Sequence, residues 1–396
     1  MIYYKNIKGA FLLDVYKSQG LPSILCSNVS YKIGRHKGIF PIEEQSSSVN
    51  HKRNIFSLSY IPEYVTTELD EKKRFKSNTF KSVKGYSVWL GEYGSFKDFL
   101  ASMQAKRRQA LSRSLRRLDS CFDVNYHMFH GNISEDSYNY LMDSLKKMIA
   151  KRFEQRPENS ETLVLWDKIY STSFRLINES KASLYVAYNE EKPIFISLNY
   201  HFDKILFGYV SSYDIDYGKF SLGQICIYKH IEWCLSNGYI LFELGWGDLE
   251  YKKWWSNNTY NFKSQIVFPK NSPLAYAMAH YYGYKTELIA FLISKKVNIH
   301  LRKLKSLLRK NGTASEQNGP SPYYKLDDIE PKHIEIEKST PIPLESSNIP
   351  KSIVYEFLFL SQTKISNITI CPLADGKNYI ISGNKMSKKI VYSKNN

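Results

Sequence analysis

Cysteine is scarce in this chain of 396 residues: Cys26, Cys121, Cys226, Cys234 and Cys371 are scattered, odd in number and without a CxxC pair. Such spacing argues against a disulfide framework or a structural zinc site and fits a reducing compartment. Also missing are a G-x-G-x-x-G fingerprint, a Walker A loop, an HExxH pair among the nine histidines and a G-x-S-x-G elbow. Dinucleotide-binding, P-loop, metallohydrolase and serine-hydrolase readings drop away with them, and no metal is expected. The opening residues, MIYYKNIKGAFLLDVYKSQG, lack the basic-then-apolar order of a signal peptide, and no uninterrupted apolar run reaches the roughly 18 residues of a spanning helix. The expectation is a cytoplasmic protein, with peripheral contact to a membrane left open.

What is present points to a folded chain with anionic partners. Hydrophobic residues make up 43% and aromatic residues 15%, enough to offset ordering entropy over most of the length. The length allows two or three domains. Lys plus Arg (55) against Asp plus Glu (38) leaves a net charge of +17, which suits nucleic acid, a membrane surface or a phosphorylated cofactor.

Taken in order, the first 85 or so residues read as short strands broken by polar loops, one of them Ser46 to Lys52. From Ser95, Phe96, Phe99, Met103, Leu111, Leu115 and Leu118 define a helical face opposite Lys106, Arg107, Arg108, Arg113, Arg116 and Arg117, which form either a solvated back or an anion-binding surface. Helices are predicted from Glu135 to about Arg156 and from about Ser160 to Glu179. Three antiparallel strands follow: Ser183 to Tyr188, Ile194 to Tyr200 and Ile205 to Ser212. A strand from Tyr260 to Phe268 precedes a helical region, Ala275 to Leu308. There Leu288, Phe291, Leu292, Val297, Leu301, Leu304 and Leu308 oppose a basic set, the pattern of a core-packing helix or of one lying on an anionic membrane. Residues 311–350 have linker composition, and the runs Ile353 to Phe359, Ile365 to Ile370, Tyr379 to Ser382 and Lys389 to Tyr392 read as β-like.

The most informative stretch is Phe207 to Trp255, which reads as strand, glycine-bearing turn, helix, strand and a Gly/Asp/Lys/Trp-rich loop. Ser221 and Gln224 form a capping-box pair, Ile227, Ile231, Cys234 and Leu235 keep helical spacing, and Asn237-Gly238 stops the helix. In the next strand, Ile240 to Leu244, Glu243 takes the opposite face from Phe242 and stands beside two glycines.

Three motifs in this stretch, Tyr209-Val210-Ser211-Ser212-Tyr213, Ser221-Leu222-Gly223 opening a helix, and Phe242-Glu243-Leu244-Gly245-Trp246-Gly247-Asp248 with Tyr251-Lys252-Lys253-Trp254, resemble acyltransferases of the GNAT superfamily. The nearest group is the double-domain CelD-like and FemAB-like proteins. The resemblance covers roughly Lys84 to Lys270 and implies an α+β fold: a mixed, mostly antiparallel sheet flanked by helices, in two GNAT-like halves. The implied bounds are an acceptor half over 1–130, an acyltransferase domain over 131–310, a linker over 311–350 and a small β-rich appendage over 351–396. It further implies a donor, acetyl-CoA or another acyl-CoA, lying where the strands Ile205 to Ser212 and Ile240 to Leu244 splay. Donor contacts would come from Ser211, Ser212, Tyr213, Lys219, Ser221, Leu222, Gly223 and Gln224, the helix start meeting the pyrophosphate with its unpaired N–H groups. Two features depart from the family pattern: Leu222 stands where a proline is common, and the longer Gln/Arg-x-x-Gly-x-Gly/Ala loop is absent.

Each candidate catalytic residue has a plain alternative. Glu243 is either a base, direct or through water, or a structural carboxylate on backbone amides or Lys252. Tyr251 either protonates the leaving thiolate or joins an aromatic wall with Trp246, Trp254 and Trp255. Lys252 pairs with an acidic or phosphate group of donor or acceptor. Asp248 holds the loop by an Asx-type turn. The expected activity is transfer of an acyl group to an amine or hydroxyl of a small molecule or saccharide-linked intermediate. The alternatives are aminoacyl transfer from charged tRNA and a non-catalytic nucleic-acid or membrane-surface binder.

Overall fold

The computed structural model describes residues 4–17, 20–43, 53–154, 161–295, 297, 323–329 and 340–393. The predicted loop Ser46 to Lys52 lies outside them, as does much of the predicted linker. Two compact units are present, one of Met1–Gly94, Tyr200–Tyr209 and Cys234–Thr313, the other of Ser95–Asn199, Val210–Trp233 and Ala314–Asn396. The chain thus leaves and re-enters each unit.

The first unit opens with β1 (Lys5–Ala10), short helices α1 (Phe11–Asp14) and α2 (Leu21–Leu25), and strands β2 (Cys26–Ile33), β3 (His36–Ile39), β4 (Asn54–Ile61), β5 (Val65–Leu69) and β6 (Phe75–Trp89). Strands β3, β2 and β5 make a small antiparallel sheet.

In the second unit the predicted basic helix is broken. Ser95 caps α3 (Phe96–Ser102), its hydroxyl accepting the Asp98 N–H at 3.2 Å, and α4 begins anew at Ala105 and runs to Cys121. Leu111 and Leu118 are buried, as the periodicity requires. Strand β7 (Val124–Phe129) and helices α5 (Glu135–Glu154), α6 (Glu161–Val164) and α7 (Trp166–Asn178) lead to the meander β8 (Ala182–Asn189), β9 (Lys192–Phe202) and β10 (Ile205–Tyr213). Its turns place Glu190 and Asp203 in the left-handed region, φ 56° and 53°. The order within this unit is β10-β9-β8-β7, and α8 (Leu222–Ser236) follows.

Returning to the first unit, the chain forms β11 (Leu241–Trp246), α9 (Glu250–Trp255), β12 (Asn258–Pro269) and α10 (Pro273–Ser294). The strand order there is β1-β4-β12-β6-β11-β10, antiparallel except for the β1–β4 and β10–β11 pairs. Helix α10 buries Ala275, Ala279 and Gly283, and a core of Tyr4, Ile55, Phe80, Ile266 and Phe268 gathers around the first two. Small residues let its backbone approach the sheet closely. Leu288, Phe291 and Leu292, expected on a core-packing or membrane-facing stripe, are exposed.

The chain ends, in the second unit, as β13 (Tyr323–Asp327), α11 (Lys351–Ser361), β14 (Thr369–Pro372), β15 (Tyr379–Ser382) and β16 (Ser387–Ser393), the strands ordered β13-β16-β15-β14. The run Ile353 to Phe359 is therefore helix, not strand. Its buried residues Val354, Tyr355, Phe357, Leu358 and Ser361 follow the 3.6 period, and burial of that stripe outweighs the β propensity of its Val, Ile, Tyr and Phe. Helix α11 shares a hydrophobic cluster with Phe122, Tyr217, Phe220 and Leu222, and the Tyr355 ring lies 5.0 Å from Phe122 and 4.8 Å from Tyr217.

Candidate active site

Strand β11 is held on both sides. Its parallel ladder with β10 spans three pairs, Ile205–Leu241, Leu206–Phe242 and Phe207–Glu243, and ends there although both strands run on. On the other side its register with β6 slips between Glu243 and Gly245, so that Leu244 is an extra residue, a β-bulge. Gly245 and Gly247 have φ of 74° and 98°, conformations that a side chain rarely adopts. Bulge and glycines bend the strand end around one side chain. Lys252 on α9 donates from Nζ to the Trp246 carbonyl, and a Cβ built on either glycine would stand 4.0 Å from that nitrogen.

Glu243, Lys252 and a set of tyrosines form one buried polar network. Glu243 is fully buried; Oε1 accepts the Gly245 N–H at 2.7 Å, and Oε2 accepts the hydroxyls of Tyr64 at 2.8 Å and Tyr260 at 2.5 Å. Burial raises its carboxyl above the usual range, opposed by these hydrogen bonds and by Lys252. The same burial lowers the Lys252 ammonium from 10.5 to about 8, the Glu243 charge acting the other way. Tyr64 and Tyr260 are pushed well above the ordinary phenol value, first by burial and then by the neighbouring carboxylate.

Several participants were invisible in the sequence. Tyr60 sits within β4 at φ 58°, strained for an aromatic residue, with its ring stacked 4.1 Å from that of Trp246. Tyr64 and Tyr260 come from other elements and carry no local signature among 31 tyrosines. Asp248 accepts the Tyr86 hydroxyl at 2.5 Å and pairs with Lys253 at 3.0 Å, contacts that tie the loop to β6. Tyr251 is exposed, while Trp254 meets Trp255 at 4.7 Å.

The residues expected to meet the donor lie in the other unit. At the end of β10, Ser211 is exposed and Ser212 is buried, its Oγ without a hydrogen-bond partner among the described residues. Tyr213 lies under the Arg152 guanidinium at 5.3 Å and faces Gly223, where a Cβ would come 3.6 Å from its ring. Asp214 then accepts the Asp216 N–H and an ion pair from Lys192 at 2.7 Å, starting a 3-10 turn over Ile215–Phe220. Ser221 stands at φ 57°, ψ 36°, a left-handed residue rather than an extended N-cap. Its carbonyl accepts the N–H groups of Gln224 and Ile225, and Leu222 is fully buried behind it. Lys219 pairs with Glu356 of α11 at 2.7 Å. Glu243 and Lys252 are thus gathered in one unit, and the Tyr213 to Gln224 segment in the other. Among the described residues no cluster is suited to hold a metal ion.

Residues 105–253 match a family model described as an acetyltransferase (GNAT) domain. The mostly antiparallel sheets flanked by helices are of the expected α+β class and consistent with two GNAT-like halves. Among curated proteins none matches. Among solved structures, a conserved protein of unknown function from Bacteroides thetaiotaomicron is similar at 12% identity and a TM-score of 0.37, over 54% of this chain and 70% of that one. FemX is similar at 11% identity and a TM-score of 0.37, over 53% of this chain and 69% of that one. With TM-scores this low, neither likeness carries an argument about this chain.

Proposed function

We propose that the protein is an N-acyltransferase of the CelD-like and FemAB-like group, acting in the cytoplasm with acetyl-CoA as donor. The acceptor is an amine or hydroxyl of a small molecule or saccharide-linked intermediate. The observation that supports this most is the parallel β10–β11 ladder, which stops after Phe207–Glu243 inside the stretch matched to an acetyltransferase domain. A backbone N–H of β10 freed from the ladder is suited to polarise a thioester carbonyl. Ser211, Ser212, Tyr213, Lys219, Ser221, Leu222, Gly223 and Gln224 serve the donor, the amides at the start of α8 facing its pyrophosphate.

In the reaction the acceptor nitrogen attacks the thioester carbon, a C–N bond forms, the C–S bond breaks and the thiolate takes up a proton. Tyr251, exposed on α9, supplies that proton. Glu243 is too deeply buried to meet the amine, so it draws the amine proton through half-buried Tyr64, whose hydroxyl it holds at 2.8 Å. Lys252 offsets the charge that gathers around this relay.

Isothermal titration with acetyl-CoA and longer acyl-CoA thioesters tests the reading: saturable binding of one is expected, and binding of none overturns it. The net charge of +17 favours a second donor, charged tRNA, in that event. Retention of tRNA at low salt with steep loss on adding salt is the result expected of it.

A further inference from the structure

Helix α10 overhangs the sheet it packs on. Its first three turns are seated by Ala275, Ala279 and Gly283, one turn apart. At Gly283 a Cβ would come within 2.1 Å of the Phe80 ring, so the helix lies as close as a glycine permits. One turn on, the Glu287 carboxylate accepts the Lys81 N–H at 3.0 Å. Beyond that tie, Leu288, Ile289, Phe291, Leu292 and Ile293 are 58, 47, 56, 38 and 43% exposed. At about 100° per residue these five cover more than half of the helix circumference, too broad an apolar arc for a solvated helix end.

The surroundings of this end are cationic and aromatic. Tyr281 and Tyr284 stand exposed on the same helix, rings suited to the level of lipid headgroups. Lys285 and Lys295 are exposed on it too. In sequence, Lys295, Lys296, Arg302, Lys303, Lys305, Arg309 and Lys310 follow with no Asp or Glu before Glu316. Among the described residues no helix is long and apolar enough to cross a membrane, and a helix end with an apolar arc beside lysines is suited to lie along a membrane surface.

We propose that the overhanging end of α10 docks on an anionic phospholipid bilayer, its five aliphatic and aromatic residues entering the interface and the lysines meeting lipid phosphates. A second copy of the chain is the weaker fit, because pairing these ends would bring two basic runs together. A nucleic acid offers nothing for the apolar arc. The inference does not depend on the acyltransferase reading.

The test is flotation of the full chain with vesicles of phosphatidylglycerol and phosphatidylcholine, beside vesicles of phosphatidylcholine alone. Flotation with the anionic vesicles only, weakened by salt, is expected. The variant Phe291→Asp/Leu292→Asp, whose side chains are exposed and whose circular dichroism should match the parent, is expected to bind at least about tenfold more weakly. Failure of the parent chain to float, or unchanged flotation of the variant, overturns the proposal. So does a parent that is dimeric by light scattering and does not float, with a monomeric variant, since the face then belongs to a second copy.

Discussion

Two glycine-bearing turns in this molecule use the same backbone device for opposite ends. After β11, Gly245 and Gly247 at positive φ wrap a loop around a cation the protein itself supplies, Lys252. Before α8, Ser221 at positive φ turns the chain into the helix, its carbonyl accepting the Gln224 and Ile225 N–H groups, and the lysine of that turn, Lys219, is half-exposed and paired with Glu356. The first turn is closed by charge and hydrogen bonding in a buried network. The second is propped from behind by apolar packing of Tyr217, Phe220 and Leu222 against α11. Polar groups buried in the first turn have strict geometric demands, whereas the second keeps Ser221 and Lys219 at the surface and draws stability from the apolar cluster behind it.

The comparison breaks most visibly at Glu243. Glu243→Leu strands two tyrosine hydroxyls, the Gly245 N–H and the Lys252 ammonium in the interior, and removal of one partner from a buried charged network costs about 3–5 kcal/mol. Urea unfolding should show a loss of that order. The double variant Glu243→Leu/Lys252→Met, which removes both charges, should recover part of it. No recovery would mean that the two side chains act independently.

Lys252 gives a smaller effect with a definite sign. Its amine is lowered from 10.5 to about 8 in the folded protein, so between those pH values the unfolded chain binds more protons than the folded one. Stability carried by this group therefore rises as pH increases from about 8 to 10.5, by up to about 3 kcal/mol. Unfolding at pH 8 and at pH 10 should show this rise in the parent and not in Lys252→Met. Parallel pH profiles for the two proteins would place the ammonium in a solvated position instead.

The same contrast explains what could be read from the sequence. The β8–β10 meander and α8 were legible because hydrophobic alternation and turn residues are local signals. Glu243 stood out as an acidic residue in an apolar strand, but its partners Tyr64 and Tyr260 are 179 and 17 residues away and leave no trace in spacing. Tyr60 was hidden for a related reason, since neither its positive φ nor the stacking of its ring on Trp246, 186 residues away, leaves a local signal. In α11 the signal was present: the 354, 355, 357, 358, 361 stripe has helical period, yet β-branched and aromatic composition pointed to strand. For α10 the stripe left a core-packing and a membrane-facing reading open, and the exposure of Leu288, Phe291 and Leu292 rules against the first, since spacing alone does not say what covers an apolar stripe.

The smallest expected change lies at the surface of the second turn. The Lys219–Glu356 pair is 2.7 Å long, with side chains 56 and 33% exposed, so Glu356→Ala should alter stability by no more than about 1 kcal/mol. Its effect on binding should be the larger one. If the proposed donor site is right, loss of Glu356 frees Lys219 to meet the pyrophosphate of a bound acyl-CoA, and the affinity for acetyl-CoA should rise by about three- to tenfold at low salt and less at high salt. Lys219→Ala should move affinity in the opposite direction. If titration calorimetry finds both variants unchanged, Lys219 is a tether for α11 and has no part in the proposed donor site. If Glu356→Ala instead unfolds the C-terminal helix, seen as loss of helical circular dichroism, the pair supports the prop rather than guarding the turn.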